Sequence, residues 1–353
     1  LEKWQQEEYK KQLEQLRKIA QQEEYMYRTL KERNPRYIQE INKSLEIAGF
    51  HICLAEYEKP IIRGFVRDAT SVQEGVKNRL ESLKLREELQ KELDDFSKRH
   101  PFVSKDDKEA IAELEKIKEK YKDELVIRED NERRKIKKLK LLVQSNFDEW
   151  THFITLTHHY NQLNIKKAKQ NFKEWAKEVN KIVDDFKYVY VMEFQTRGAI
   201  HFHVICKCAD EKGVLDKKRF MKVRQAWKHG MINIKGIKYQ YVPKENKKEA
   251  QEELKQLAAD EQLVTIWSLG NYLTSYLKKQ SDNMLLFGSA MYGFSKNLKK
   301  EIKITDEKKI AQLLEMLGVE QLKEKTYEIY QAETDNNIKL TFWNKLIENQ
   351  SNE

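Results

Sequence analysis

The spacing of apolar residues changes once along this chain, and that change constrains the fold more than any other feature. Up to about residue 145 they recur in threes and fours. One seam runs Tyr9, Leu13, Leu16, Ala20, Tyr27, Leu30, a second Leu85, Leu89, Leu93, Phe96 before Pro101, and a third Ala110, Leu114, Ile117, Tyr121, Leu125. Such steps keep side chains on one stripe of an α-helix. From Phe153 the pattern shortens to alternation: Phe153-Ile154-Thr155-Leu156-Thr157 is β-branched and of period two, the mark of a half-buried strand. Further strands are predicted over 187–194 and 200–205, either side of Gln195-Thr196-Arg197-Gly198-Ala199, and shorter ones over 231–234 and 239–242. Helices are predicted over 166–183, through Val223 and Trp227 to about Gly230, over a charged insertion at 244–262, and from about Asn271. The expected class is α+β, a central antiparallel sheet flanked by helices and preceded by a helical N-terminal region. The division expected is 1–145 helical, 146–300 carrying the chemistry, and 301–353 an acidic helical tail.

Charge points to the same middle segment. Residues 146–300 hold 27 Lys and Arg against 17 Asp and Glu, whereas 1–145 carry a net +3 and 301–353 a net −4. A local positive excess suits a polyanionic partner, without telling DNA from RNA or an acidic membrane surface. Arg133, Arg134, Lys135, Lys137, Lys138 and Lys140 form a basic run that either grips phosphates or is a solvated helix face. No apolar stretch is long enough to span a bilayer, and no secretory signal is visible. The chain opens on Leu1, so its start is expected to be missing or processed. Three cysteines, Cys53, Cys206 and Cys208, make no disulfide framework, and a reducing cytoplasm is the expected location. The 1–145 seams bury against one another or against a partner chain; origin recognition or self-association as a homo-oligomer is the expected role. On that expectation a chain beginning near Asn146 keeps its chemistry.

Three motifs in the middle segment carry chemistry. In His201-Phe202-His203 the period of a strand sends both imidazoles to one face, where they can share a cation. Glu193 lies on the preceding strand. With a three-residue loop at 196–198 and Gly198 at positive φ, residue 193 pairs with 201 and the carboxylate joins the imidazoles; otherwise Glu193 is a solvent-facing strand residue. In Tyr272-Leu273-Thr274-Ser275-Tyr276-Leu277-Lys278-Lys279 a helix puts 272, 276 and 279 on one face. Two imidazoles and a carboxylate leave positions open for substrate oxygens, as Lewis-acid catalysis needs. Tyrosine, with a pKa of about 10, is a poor nucleophile until a cation or metal assists it; alternatively both tyrosines merely pack.

The order of these motifs (FITLT, Glu-x7-His-hydrophobic-His, then Tyr-x-x-Lys) resembles the HUH endonuclease superfamily, and more closely the rolling-circle replication initiators of bacterial plasmids and phages. The likeness covers roughly 146–300 and extends to VMEFQTRGAIHFHVI, AWKHGMINI and YGFSKNLKK. It implies a HUH fold binding one divalent ion, Mg²⁺ or Mn²⁺, through His201, His203 and Glu193. It implies Tyr276 as the nucleophile that cuts single-stranded origin DNA, retaining a 5′ phosphotyrosine and freeing a 3′ hydroxyl primer, with Lys279 steadying charge. The implied partners are DNA and a host helicase and DNA polymerase; no Gly-x4-Gly-Lys-Ser/Thr run is present, so no fused helicase is expected.

The chain also departs from these relatives. In the gene A proteins of isometric phages lysine follows each of two tyrosines by three residues; here Tyr276 has Lys279 but Tyr272 has Ser275. In another plasmid group a glutamate stands four residues before the nucleophile, where this chain has Tyr272. Conjugative relaxases place their tyrosines before the histidine pair. A single-tyrosine HUH transposase and a non-catalytic origin-binding regulator of the same fold remain as alternatives, as does a zinc-stabilised RNA-binding module that has no use for Tyr276.

Overall fold

The computed structural model describes residues 3–64, 69–104, 106–122, 129–147, 151–208, 217–236, 270–271, 273–276, 290–332 and 334–348. The expected strand at 239–242, the insertion at 244–262, Tyr272 and Lys279 lie outside these residues. In chain order the elements are α1 (Lys3–Arg33), β1 (Gln39–Ala48), β2 (His51–Arg63), α2 (Ala69–Arg99), α3 (Lys108–Lys122), α4 (Glu129–Asn146), β3 (His152–His158), α5 (Ile165–Asn180), β4 (Tyr188–Phe194), β5 (Ile200–Cys206), α6 (Lys217–Gln225), β6 (Gly230–Gly236), β7 (Tyr292–Phe294), β8 (Ile302–Ile304), α7 (Glu307–Leu317), β9 (Leu322–Gln331) and β10 (Asn336–Glu348). The class is α+β. Among the described residues there are two five-stranded sheets, and every pairing in them is antiparallel.

One compact unit joins residues 1–72 to 300–353, and the other is 73–299, so in sequence the second is inserted into the first. The first unit holds the sheet β8-β1-β2-β10-β9. Leu45 and Ile47 of β1 and Ile52 of β2 alternate onto one face, where Tyr9 and Leu16 of α1 and Ile310 and Leu317 of α7 close the core. The Asp306 side chain caps α7 by accepting from the amides of Lys308 and Lys309, satisfying donors that a helix start leaves open.

Two expectations are corrected here. The N-terminal region is not helical throughout, because 39–63 form a hairpin; the acidic tail is not simply helical, because β9 and β10 complete the same sheet. Nor does a unit begin at residue 146. Leu89, Leu93, Phe96, Ala110, Leu114, Tyr121, Leu139 and Val143 belong to one core with Ile154, Leu156, Phe172 and Phe202. A chain beginning near Asn146 would lose α2–α4 and open that core. Phe96 is fully buried in it, so Phe96→Ala is expected to destabilise the 73–299 unit by about 3–5 kcal/mol. Urea unfolding measures this; a loss under about 1 kcal/mol would show that α2 contributes little to the core.

The second sheet runs β6-β3-β5-β4-β7. Its central strand β5 is buried at every position, and β3 alternates buried with half-buried residues. Helix α5 covers one face, placing Ile165, Ala168, Phe172, Trp175, Ala176 and Val179 inward at helical spacing. The Phe172 ring centroid lies 5.0 Å from that of Phe202 and 4.2 Å from that of Tyr190. The helix begins where Asn164 caps the Lys167 amide and ends at Asn180, three residues short of the expected 183.

Candidate functional site

The β4–β5 hairpin decides which side chains meet. The Gln195 amide donates to the Ala199 carbonyl (3.0 Å) and the Gly198 amide to the Gln195 carbonyl (2.8 Å), which closes a three-residue loop. Gly198 sits at φ 86°, where an added Cβ would also come within 2.8 Å of Leu114. This register sets Glu193 opposite His201 and Val191 opposite His203, as the three-residue loop requires. On the other side of β5, Thr157 faces His201 and Thr155 faces His203. Phe202 turns to the opposite face and packs under α5.

The Glu193 carboxylate does not stop at its direct partner. It reaches diagonally, and Oε2 lies 2.6 Å from His203 Nε2, within the reach of diagonal cross-strand neighbours. His201 Nε2 and His203 Nδ1 are buried and lack a hydrogen-bond partner among the described residues. Burial pushes the His201 pKa down to about 4, with repulsion from His203 adding to this and Glu193 opposing it. The ring is therefore neutral at pH 7, the form in which imidazole ligates metals.

Tyr276 completes the cluster. Residues 273–276 are helical; Leu273 is fully buried, and the Thr274 hydroxyl donates to the Asn271 carbonyl at 2.9 Å. With this turn anchored, the half-buried Tyr276 ring stacks on His203, centroid to centroid 3.8 Å and 19° from parallel. Phe153 of β3 also lies near that imidazole, at 5.8 Å and 21°. Neither ring contact was foreseen from the sequence; the alternation that puts Phe153 on the same strand face as Thr155 was the available signal.

These donors were tested for a divalent ion by their chemistry. Two neutral imidazoles and a carboxylate are a suitable set, and the bare His201 Nε2 is a lone pair without a partner. The Glu193–His203 hydrogen bond occupies the other Nε2. Among the described residues no group of three or more His, Cys, Asp or Glu side chains is placed to hold a metal. An ion would replace the proton between Glu193 and His203.

His158, at the end of β3, is no part of this cluster. Its Nδ1–H donates to the Ile200 carbonyl (2.9 Å) and its Nε2 lies 3.3 Å from the Asn171 amide nitrogen, a neutral ring with both nitrogens used. Burial lowers its pKa to about 4, partly opposed by the Ile200 hydrogen bond. The unfolded chain, with His near 6.5, takes up the proton first, so this stability is fully present above pH 6.5 and is lost as pH falls toward 4. Between pH 6.5 and 5 the loss from His158 is about 2 kcal/mol. Urea unfolding at both pH values should show His158→Gln with the shallower pH dependence; equal slopes would refute a neutral buried His158. Cys206 and Cys208 are buried free thiols with sulfurs 3.4 Å apart, matching the plain expectation of small buried residues on one face.

Among the described residues no helix is long and apolar enough to cross a membrane. The family model for the replication-associated protein ORF2 matches residues 151–281. The matched stretch contains β3, α5, β4, β5, α6, β6 and Tyr276, and leaves out the whole first unit. No curated protein and no solved structure matches the chain. The match supports a role in the initiation of DNA replication.

Proposed function

We propose that this chain is a HUH-type initiator of rolling-circle replication that nicks single-stranded origin DNA with Tyr276. One observation carries the proposal most: the Tyr276 ring stacks on His203, whose other contact is Glu193, so a nucleophile and a cluster of metal-type donors share one place. The replication-associated match over the same residues supports it. In the proposed reaction the Tyr276 Oη–phosphorus bond forms as the bond from phosphorus to the 3′ oxygen breaks. The 5′ phosphate stays on Tyr276, and the phenol proton is lost as the 3′ oxygen gains one. The phosphodiester energy is thereby kept for re-joining.

The residues divide the work. His203 holds the Tyr276 ring by stacking, and Leu273 fixes the turn that presents it. His201, His203 and Glu193 would hold Mg²⁺ or Mn²⁺, which when bound supplies Lewis-acid polarisation of the scissile phosphate. Lys279 is proposed to steady charge on that phosphate and Tyr272 to be the second nucleophile or a packing residue. A host helicase and polymerase would act on the opened strand and its 3′ end. The test is to incubate the purified full chain with Mn²⁺ and a randomised pool of labelled single-stranded oligonucleotides. A protein–DNA adduct that survives denaturing electrophoresis is expected; none from any sequence in the pool would rule out the tyrosine nickase.

A further inference from the structure

On the α5-covered side of the sheet, past the end of β3, lies a cavity of about 580 Å³ that the chemistry above does not use. His158 belongs to its wall, whereas its neighbour Thr157 pairs with His201 on β5. The volume is that of a small-ligand site.

Its polar groups are unequally occupied. Asp94 is spent, accepting from the Asn164 amide at 2.9 and 3.1 Å and from Gln90 at 3.0 Å. The neutral His158 is spent as well. Among the described residues Lys167 and Lys228, both in the wall, have no ion-pair partner. Asn161 is more telling. Its backbone is fully used, the amide donating to the Pro101 carbonyl and the carbonyl accepting from the Ser97 hydroxyl. Its side chain is 2% exposed, yet neither Oδ1 nor Nδ2 has a partner among the described residues. A buried amide left unsatisfied is costly and calls for a ligand.

Aromatic surface lies beside these groups. Tyr160, also in the wall, is 62% exposed, and the equally open Phe102 ring lies 5.1 Å from it, tilted by 48°. Exposed rings next to unpaired lysines are the surface on which bases stack while their phosphates are neutralised. A carboxamide supplies the adjacent donor and acceptor that a base edge complements.

We propose that this cavity is a nucleotide-binding subsite. Tyr160 stacks on the base, the Asn161 amide pairs with its edge, and Lys167 and Lys228 hold the phosphate. The nucleotide belongs to a single strand or is free; the chemistry is shared, and the experiment separates the two. The subsite does not depend on cleavage by Tyr276, since binding is measured with chelator present.

The full chain is titrated into a short fluorescent single-stranded DNA oligonucleotide, and anisotropy is read at several salt concentrations. Tyr160→Ala is expected to weaken binding roughly tenfold. Lys167→Gln with Lys228→Gln is expected to reduce the slope of log affinity against log salt by about 1.4, roughly 0.7 for each phosphate no longer neutralised. Circular dichroism confirms folding of both variants. Saturable binding of dAMP by the wild type, abolished in the variants, assigns the subsite to a free nucleotide; displacement of the probe by oligonucleotides alone assigns it to a strand. Wild-type affinity and salt slope in both variants would overturn the proposal.

Discussion

Tyr276→Phe is expected to remove the covalent protein–DNA adduct altogether, a fall of roughly a thousandfold or more in strand cleavage. The substitution keeps the ring and hence the stack on His203, so the fold and most of the DNA affinity should survive. What disappears is Oη, the atom that would bond to phosphorus. Tyr272→Phe is expected to leave the first cut largely intact and, if two tyrosines alternate, to impair the closing transfer. Adduct formation on a labelled strand, read for both variants, separates the two roles. Peptide mapping of the trapped wild-type adduct then locates the bond. DNA on Tyr272 would overturn the choice of nucleophile, and an undiminished adduct in Tyr276→Phe would remove Tyr276 from the chemistry.

Much of the candidate site was legible because its geometry follows from parity. Once 195-TRG-199 is taken as a three-residue loop, period two places Glu193, His201 and His203 together, and the β4–β5 register agrees. The diagonal reach of Glu193 to His203 was not legible. Register gives the directly opposite residue, while a flexible carboxylate chooses among neighbours by local packing. The Tyr276 stack on His203 was likewise hidden, since Glu193 and Tyr276 stand far apart in sequence and no period relates a helical turn to a strand. The cavity by Asn161 gave no motif at all: its wall combines α2, the segment after β3, α5 and Lys228.

The fold outside the matched stretch was read less well, and the cause is specific. The 1–145 seams were real: Leu16, Leu93, Phe96 and Leu114 are buried on helices. Between them, Leu45 and Ile47, then Ile52 and Leu54, alternate about Gly49-Phe50, with Gly49 at φ 59° as a tight turn requires. That signal was present but flanked by two long helical patterns. The strands β9 and β10 were obscured differently: β9 is exposed along nearly all its length, so its composition is that of a charged surface, and only pairing with β10 makes it a strand. Sequence-remote pairing also explains the boundaries. Residues 300–353 close a sheet begun at 39–63, an association that charge and periodicity within the tail do not encode.

Removing the divalent ion is expected to abolish cleavage while leaving much of the DNA binding, because the positive excess of the middle segment does not depend on a metal. Two variants separate the donors from the stack. His203→Ala removes both a metal-type nitrogen and the ring beneath Tyr276, so it is expected to lose cleavage for two reasons. His201→Ala removes a buried nitrogen but spares the stack, the cleaner test. Its Mn²⁺ affinity, followed by electron paramagnetic resonance of the free ion, should fall by at least the roughly 10- to 100-fold that loss of an outer-shell partner costs. Glu193→Gln should weaken the ion similarly, since a neutral amide replaces the only carboxylate in the set. His159→Ala, outside the cluster, should change neither Mn²⁺ binding nor cleavage. Full cleavage in excess chelator would remove the metal from the mechanism, and equal losses in His159→Ala and His201→Ala would mean that the wrong histidines had been chosen.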